Sequence, residues 1–226
     1  MRKAKATKLG IAAILGYLIG TFPTADLVSR RLAKRNGTKA DLRDEGTGNP
    51  GALNAAKTLG ARWGAVVLGG DVLKAAGSSL LGRRLAGDDG AYAAGTGVVV
   101  GHCLPVWNGF RGGKGVAASA GTAAVCFPAY MPIDIALAGA TLVFSKGRAE
   151  LATYVASAVF TAASLVWWKT QRGNLWGPRP SGWLPVYAAT ISAVICYRFL
   201  SAEVEPPVPS LPESDRKTKK EASLVS

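Results

Sequence analysis

The chain has 226 residues, 49% hydrophobic and only 18% charged, yet it carries a net charge of +13 and a mean hydropathy of +0.19. A nucleic-acid-binding domain of that basicity does not separate its charges with long uncharged apolar runs, so nucleic acid is excluded as the partner. A polytopic membrane protein whose basic loops face anionic headgroups fits. Cys103, Cys126 and Cys196 lie far apart inside apolar segments, which makes neither a disulfide framework nor a metal-ligand spacing.

In chain order, a basic head (Arg2, Lys3, Lys5, Lys8) precedes an uncharged run from Leu9 to about Ala25. This resembles a signal peptide, but Phe22-Pro-Thr-Ala25 is a poor cleavage site and many apolar runs follow. It reads as span 1, continuing through Asp26 towards Leu32. A basic loop follows, from Arg30 to Arg43, and ends in Gly46-Thr-Gly-Asn-Pro-Gly51. Asn54 and Lys57 come next, three residues apart and hence on one face of a helix. Span 2 runs from Ala61 to about Leu81 and holds Asp71 and Lys74, which read as an i, i+3 pair closing the bundle.

Span 3, about 91–106, contains Gly97-Val-Val-Val-Gly101, a spacing that lets helix backbones approach closely. Span 4 (about 116–127) and span 5 (about 133–144) are short against the roughly 20 residues that a bilayer core needs. They read either as two short crossings or as one re-entrant hairpin. Span 6 is about 151–168, and Trp167, Trp168, Trp176 and Trp183 surround the next loop as interfacial aromatics do. Span 7 is about 184–200. Residues 201–226, with Pro206-Pro207 and several Lys, read as a disordered basic tail behind a membrane domain over 1–200. The fold class is therefore all-α, a polytopic membrane bundle of about seven transmembrane helices.

Parity puts the loops at 46–51, 112–115 and 146–150 on one side, together with the tail. That side carries the larger share of Lys and Arg, so it faces the cytoplasm and the basic N-terminus lies opposite.

The stretch from Gly101 to Gly115 holds the only histidine, His102, and ends Arg111-Gly-Gly-Lys-Gly115. Gly112 and Gly113 allow backbone N–H groups to turn towards an anion, Lys114 adds a point charge, and the next helix presents its positive end. The alternative is a tight turn with basic residues snorkelling to headgroups. It is no Walker loop, because the G-x-x-x-x-G-K-[ST] spacing is absent and Val116 stands near the Ser/Thr position.

Asp41-Leu-Arg43, Gly46-Thr-Gly-Asn-Pro-Gly-Ala-Leu-Asn54, Asp71-Val-Leu-Lys74 and Gly101-His-x-x-Pro105 with Gly112-Gly-Lys-Gly115 resemble the bacterial PlsY-type acyl-phosphate:glycerol-3-phosphate acyltransferases. The resemblance runs from about residue 10 to 200. It implies a seven-helix enzyme of the bacterial inner membrane with its active site facing the cytoplasm. The enzyme would move a fatty acyl group from acyl phosphate to the 1-hydroxyl of glycerol 3-phosphate, giving lysophosphatidic acid and phosphate. It implies phosphate-binding roles for Gly46, Thr47, Gly48, Gly112, Gly113 and Gly115. His102, Lys114 and Asn49 become the catalytic candidates, and Asn54, Lys57 and Thr153 contact substrate.

Three positions depart from the family pattern. Thr47 replaces serine, Lys57 replaces arginine and loses bidentate phosphate recognition, and Glu150-Leu-Ala-Thr153 replaces Ser-Leu-x-Ser. Acyl phosphate is an activated donor with an anionic leaving group, so no metal, cofactor or covalent acyl-enzyme is expected. His102 is a candidate general base. A thioester relay through Cys103 is disfavoured, because adjacent helical residues point about 100° apart. The rival readings are a relative that acylates another phosphorylated or polyol acceptor, an anion transporter with its charges at mid-membrane, and a scaffold without activity.

Overall fold

The computed structural model describes residues 2–36, 42–43 and 45–204, and every regular element among them is a helix. They are α1 (Arg2–Gly20), α2 (Thr24–Asn36), α3 (Ala52–Leu59), α4 (Ala61–Ala86), α5 (Asp88–Cys103), α6 (Val116–Cys126), α7 (Met131–Phe144), α8 (Ala149–Thr170) and α9 (Trp183–Val204). A single 3-10 turn, Val106–Asn108, follows α5. Each expected span has its helix, and α3 is the short helix that carries Asn54 and Lys57. Among the described residues, four stretches are long and apolar enough to cross a membrane unaided: Lys3–Lys34, α4, α8 and Trp183–Ser201. The helix of span 7 continues to Val204. Asp41 of the first motif, and the tail beyond 204, lie outside the described residues.

Span 1, read as continuing through Asp26 towards Leu32, is one apolar stretch built of two helices that part at Pro23. Proline has no N–H to donate and pushes the residue before it out of the α region. The chain therefore breaks over Thr21–Pro23 and restarts as α2 at Thr24.

Glycine packing sets the centre of the bundle. A Cβ on Gly97 would strike the backbone oxygen of Ala13, and one on Gly101 that of Tyr17. In return, Gly16 and Gly20 lie against the backbone of Ala94 and Val98. The two helices thus touch backbone to backbone, as the glycine spacing in α5 led one to expect. An aromatic layer closes the other side of the core: Phe127 stacks on Tyr130 at 5.3 Å, and Phe160, Trp167 and Tyr187 pack around them. Large apolar side chains such as Ile14, Leu73, Val143 and Phe144 point outwards, as lipid-facing residues do.

The short stretches of spans 4 and 5 are two separate helices, α6 and α7, both below the length of the four long apolar stretches. At about 1.5 Å per residue, the 11 residues of α6 cover only about half of a bilayer core. The loop after α8 comes in to meet the end of α6. Asn174 donates to the carbonyl of Cys126 at 3.0 Å, and the Trp176 indole donates to that of Ala124 at 2.8 Å. The same loop binds the start of α5, with Arg179 N–H on Asp88 and Ser181 on Asp89, and Lys5 of α1 also pairs with Asp89 at 2.8 Å. One end of the bundle therefore holds the N-terminus, the α4–α5 turn and the α8–α9 loop. The glycine-rich loops gather at the other end.

Candidate active site

The break at Pro23 opens a cleft. Its walls include Thr24, Asp26, Arg43, Lys74, His102 and Gly113. Lys74 donates to the carbonyl of Phe22 at 2.9 Å and pairs with Asp71 Oδ1 at 2.8 Å. Asp71 is 2% exposed and also accepts from the Thr24 hydroxyl at 3.0 Å. His102 Nδ1 stands 3.6 Å from the same oxygen, too long for a hydrogen bond but close enough to sense its charge. The Asp71–Lys74 pair, read from sequence as closing the bundle, thus forms the floor of the cleft.

Asn54 organises the first glycine-rich loop. It is 1% exposed; its amide donates to the carbonyls of Leu42 and Glu45 at 2.8 and 2.9 Å, and its Oδ1 accepts from Thr47 N–H at 3.0 Å. Both donors and one acceptor site are thereby spent on the loop's own backbone. Gly46 and Gly48 adopt positive φ (65° and 69°), and a Cβ on Gly46 would meet the Asn54 amide, so only glycine fits there. Thr47 and Asn49 are left at the loop tip, exposed and half-buried respectively. Lys57 lies one turn beyond Asn54 but is exposed, so the shared face holds one buried and one solvated residue.

In the second loop, the N–H groups of Gly112 and Gly113 donate to the carbonyls of Cys103 and His102, both at 3.1 Å. These bonds satisfy orphan carbonyls at the end of α5. The expected nest is therefore folded back onto α5, and the unbonded donors at this turn are those that open α6. A Cβ on Gly113 would run into the His102 imidazole, which seals the histidine beneath the loop. Gly115, at φ 88°, packs against Cys103 and Ile195. Lys114 Nζ lies 4.3 Å from the Phe199 ring centroid.

Three hydrogen bonds join the loops. Arg43 Nη1 donates to Asp26 Oδ1 at 2.8 Å and its Nε to the Arg111 carbonyl at 3.4 Å, while Asn108 donates to Asp26 Oδ2 at 3.4 Å. The third polar segment reaches the same end of the bundle. Glu150 pairs with Arg148 at 3.2 Å and is near enough to Lys114 to feel its charge. The Thr153 hydroxyl donates back to the Ala149 carbonyl at 2.8 Å and would have to release that bond to serve an anion. The structure thus gathers His102, Lys114 and the two glycine loops at one end, with Lys57 at the margin. Thr24, Asp26, Asn108 and Arg198 escaped the sequence reading. A proline with polar residues on its heels, Pro23-Thr-Ala-Asp26, was the available signal for the first two.

Residues 10–203 match the sequence model described as glycerol-3-phosphate acyltransferase. A glycerol-3-phosphate acyltransferase of Thermoanaerobacter pseudethanolicus is 35% identical over 160 residues, covering 71% of this chain and 78% of that one. One from Bacillus subtilis is 41% identical over 113 residues, covering 50% and 56%. The crystal structure of PlsY, an integral membrane glycerol 3-phosphate acyltransferase, in its glycerol 3-phosphate form superposes with a TM-score of 0.69 at 26% identity. It covers 90% of this chain and 96% of that one. The lysophosphatidic acid form gives 0.66, also at 26% identity, covering 88% and 94%. With a matching fold, matching motifs and a match over most of its length, the chain belongs to the glycerol-3-phosphate acyltransferase family.

Proposed function

We infer that this membrane protein is an acyltransferase that moves a fatty acyl group from acyl phosphate to the 1-hydroxyl of glycerol 3-phosphate, releasing lysophosphatidic acid and phosphate. The observation that carries the reading is the convergence of both glycine-rich loops on one cleft at one end of a lipid-facing bundle, locked together at Asp26. A water-soluble phosphate ester and a membrane-bound acyl donor meet naturally at such a place. The attacking oxygen forms a bond to the acyl carbonyl carbon as the C–O bond to the leaving phosphate breaks. The donor is already activated, so positioning two anions against their mutual repulsion supplies the main catalytic effect.

In this reading Lys114 neutralises phosphate charge, assisted by the first turn of α6. Gly112, Gly113 and Gly115 permit the tight turn that places it. Thr47 and Asn49 offer side-chain contacts from the tip of the first loop, whose shape (Gly46, Gly48) is set by Asn54. Lys57 and Thr153 border the acceptor. His102, sealed under Gly113 beside Asp71, supports the loop from below and is the candidate proton acceptor. The loop end faces the cytoplasm of the bacterial inner membrane, where both substrates would be delivered.

The test uses purified protein in detergent with palmitoyl phosphate and labelled glycerol 3-phosphate, and palmitoyl-CoA as the control donor. Labelled lysophosphatidate from acyl phosphate alone, abolished by Lys114→Ala, is the expected result. Donor hydrolysis without acylation would overturn the acceptor, and activity with palmitoyl-CoA would overturn the donor.

A further inference from the structure

Three residues of the second loop rest on one face of α9: Gly112 on Arg198, Lys114 on Phe199 and Gly115 on Ile195. The Arg198 guanidinium donates from Nη2 to the Gly112 carbonyl at 2.9 Å. Its Nε is buried and has no hydrogen-bond partner. Among the described residues, no carboxylate forms an ion pair with it, whereas Lys74 and Arg43 both have one. Arg198 lies close enough to His102 and Cys103 to act on them electrostatically. A half-buried guanidinium without a counter-ion is unfavourable unless something anionic joins it.

We propose that Arg198 is the inner positioning cation of the second loop. It holds the Gly112 carbonyl, and its uncompensated charge beside Gly112 is balanced by the phosphate of the bound substrate. This rests on the reading above that the site takes phosphate-bearing substrates. Lysine at 114 and arginine at 198 both stand on the α9 side of the loop, one over Phe199 and the other on the Gly112 carbonyl. The substrate's phosphate thus completes a charge balance that the free protein leaves open, which favours phosphate esters over neutral polyols of the same shape.

Binding separates this inference from turnover. Calorimetric titration of the full-length protein in detergent with glycerol 3-phosphate, inorganic phosphate and glycerol is compared for the native chain, Arg198→Gln and Arg198→Lys. Arg198→Gln should weaken glycerol 3-phosphate and phosphate binding by about tenfold, convert the loss into a raised KM with kcat little changed, and leave glycerol unaffected. Arg198→Lys should stay within about threefold of the native Kd, because it keeps the charge. Native-like phosphate binding by Arg198→Gln would overturn the proposal, as would a loss confined to thermal stability and kcat. If Arg198→Gln does not fold, a second neutral variant, Arg198→Met, decides: a tenfold loss of phosphate affinity upholds the charge role, and a near-native Kd overturns it. Failure of the native protein to make lysophosphatidate while still binding glycerol 3-phosphate would sink the acyltransferase reading instead.

Discussion

Asp26 and Arg43 form an ion pair of 2.8 Å in which the carboxylate side chain is 8% exposed and the guanidinium 21%. Because Asn108 also donates to Asp26, one carboxylate in the first turn of α2 anchors both glycine-rich loops. Removing one partner of such a pair strands a largely buried charge, which costs on the order of 3 kcal/mol. Asp26→Ala should therefore lower the thermal midpoint in detergent and raise KM for glycerol 3-phosphate. A double-mutant cycle with Arg43→Ala should show that the two losses do not add. Additive losses would mean that the pair does not couple the loops.

Gly113 and His102 allow a sharper test. A Cβ at 113 has no room beside the imidazole. Gly113→Ala should cost at least tenfold in kcat/KM, whereas Gly139→Ala on α7, where a Cβ meets nothing within 4 Å, should be silent. Initial rates with palmitoyl phosphate read both variants. Equal activities would show that the loop does not need its close seat on His102.

These two sites also show what the sequence made legible. The positions of the apolar spans, the close approach in α5 and the two glycine loops all came from local patterns: apolar length, small-residue spacing, and glycine where φ is positive or the backbone is crowded. The break in span 1 was written in Pro23, but its apolar flanks masked it. Asn54 could be singled out but not understood, since its three backbone partners in the loop appear only on folding. The Asp71–Lys74 pair was visible as i, i+3 neighbours, yet its partners Phe22 and Thr24 lie about fifty residues away in sequence. Arg198 had no local signature at all: a lone arginine near the end of an apolar helix gains meaning only through Gly112.

Glu150 stands within electrostatic reach of Lys114 and is ion-paired to Arg148. A carboxylate there opposes an incoming phosphate. Glu150→Ser should lower KM for glycerol 3-phosphate by about two- to fivefold at low salt, and the gain should shrink at high ionic strength as screening removes the repulsion. Kinetics at two salt concentrations check this. A higher KM in the variant would mean that Glu150 aids binding, and would favour a different acceptor for this site.

The two ends of the bundle should lie on opposite sides of the membrane. Thr47 is exposed at the tip of the first loop, while Ser181 belongs to the cluster with Asp89 and Lys5 at the far end. The native cysteines interfere little, since Cys103 and Cys126 are buried and Cys196 is partly so. Thr47→Cys and Gly173→Cys, each introduced singly, can be labelled in intact cells and in inverted vesicles with a membrane-impermeant maleimide. Gly173 takes the second label because its Cβ position is open, whereas Ser181 is bonded to Asp89. Position 173 should react in cells and position 47 only in inverted vesicles. The reverse pattern would put the loops outside, away from the compartment in which glycerol 3-phosphate is made available, and would remove the orientation that the positive-inside bias assigns. Labelling of both positions from one side would contradict the bundle itself, because the five helices between them that correspond to spans, α4 to α8, could not then all cross.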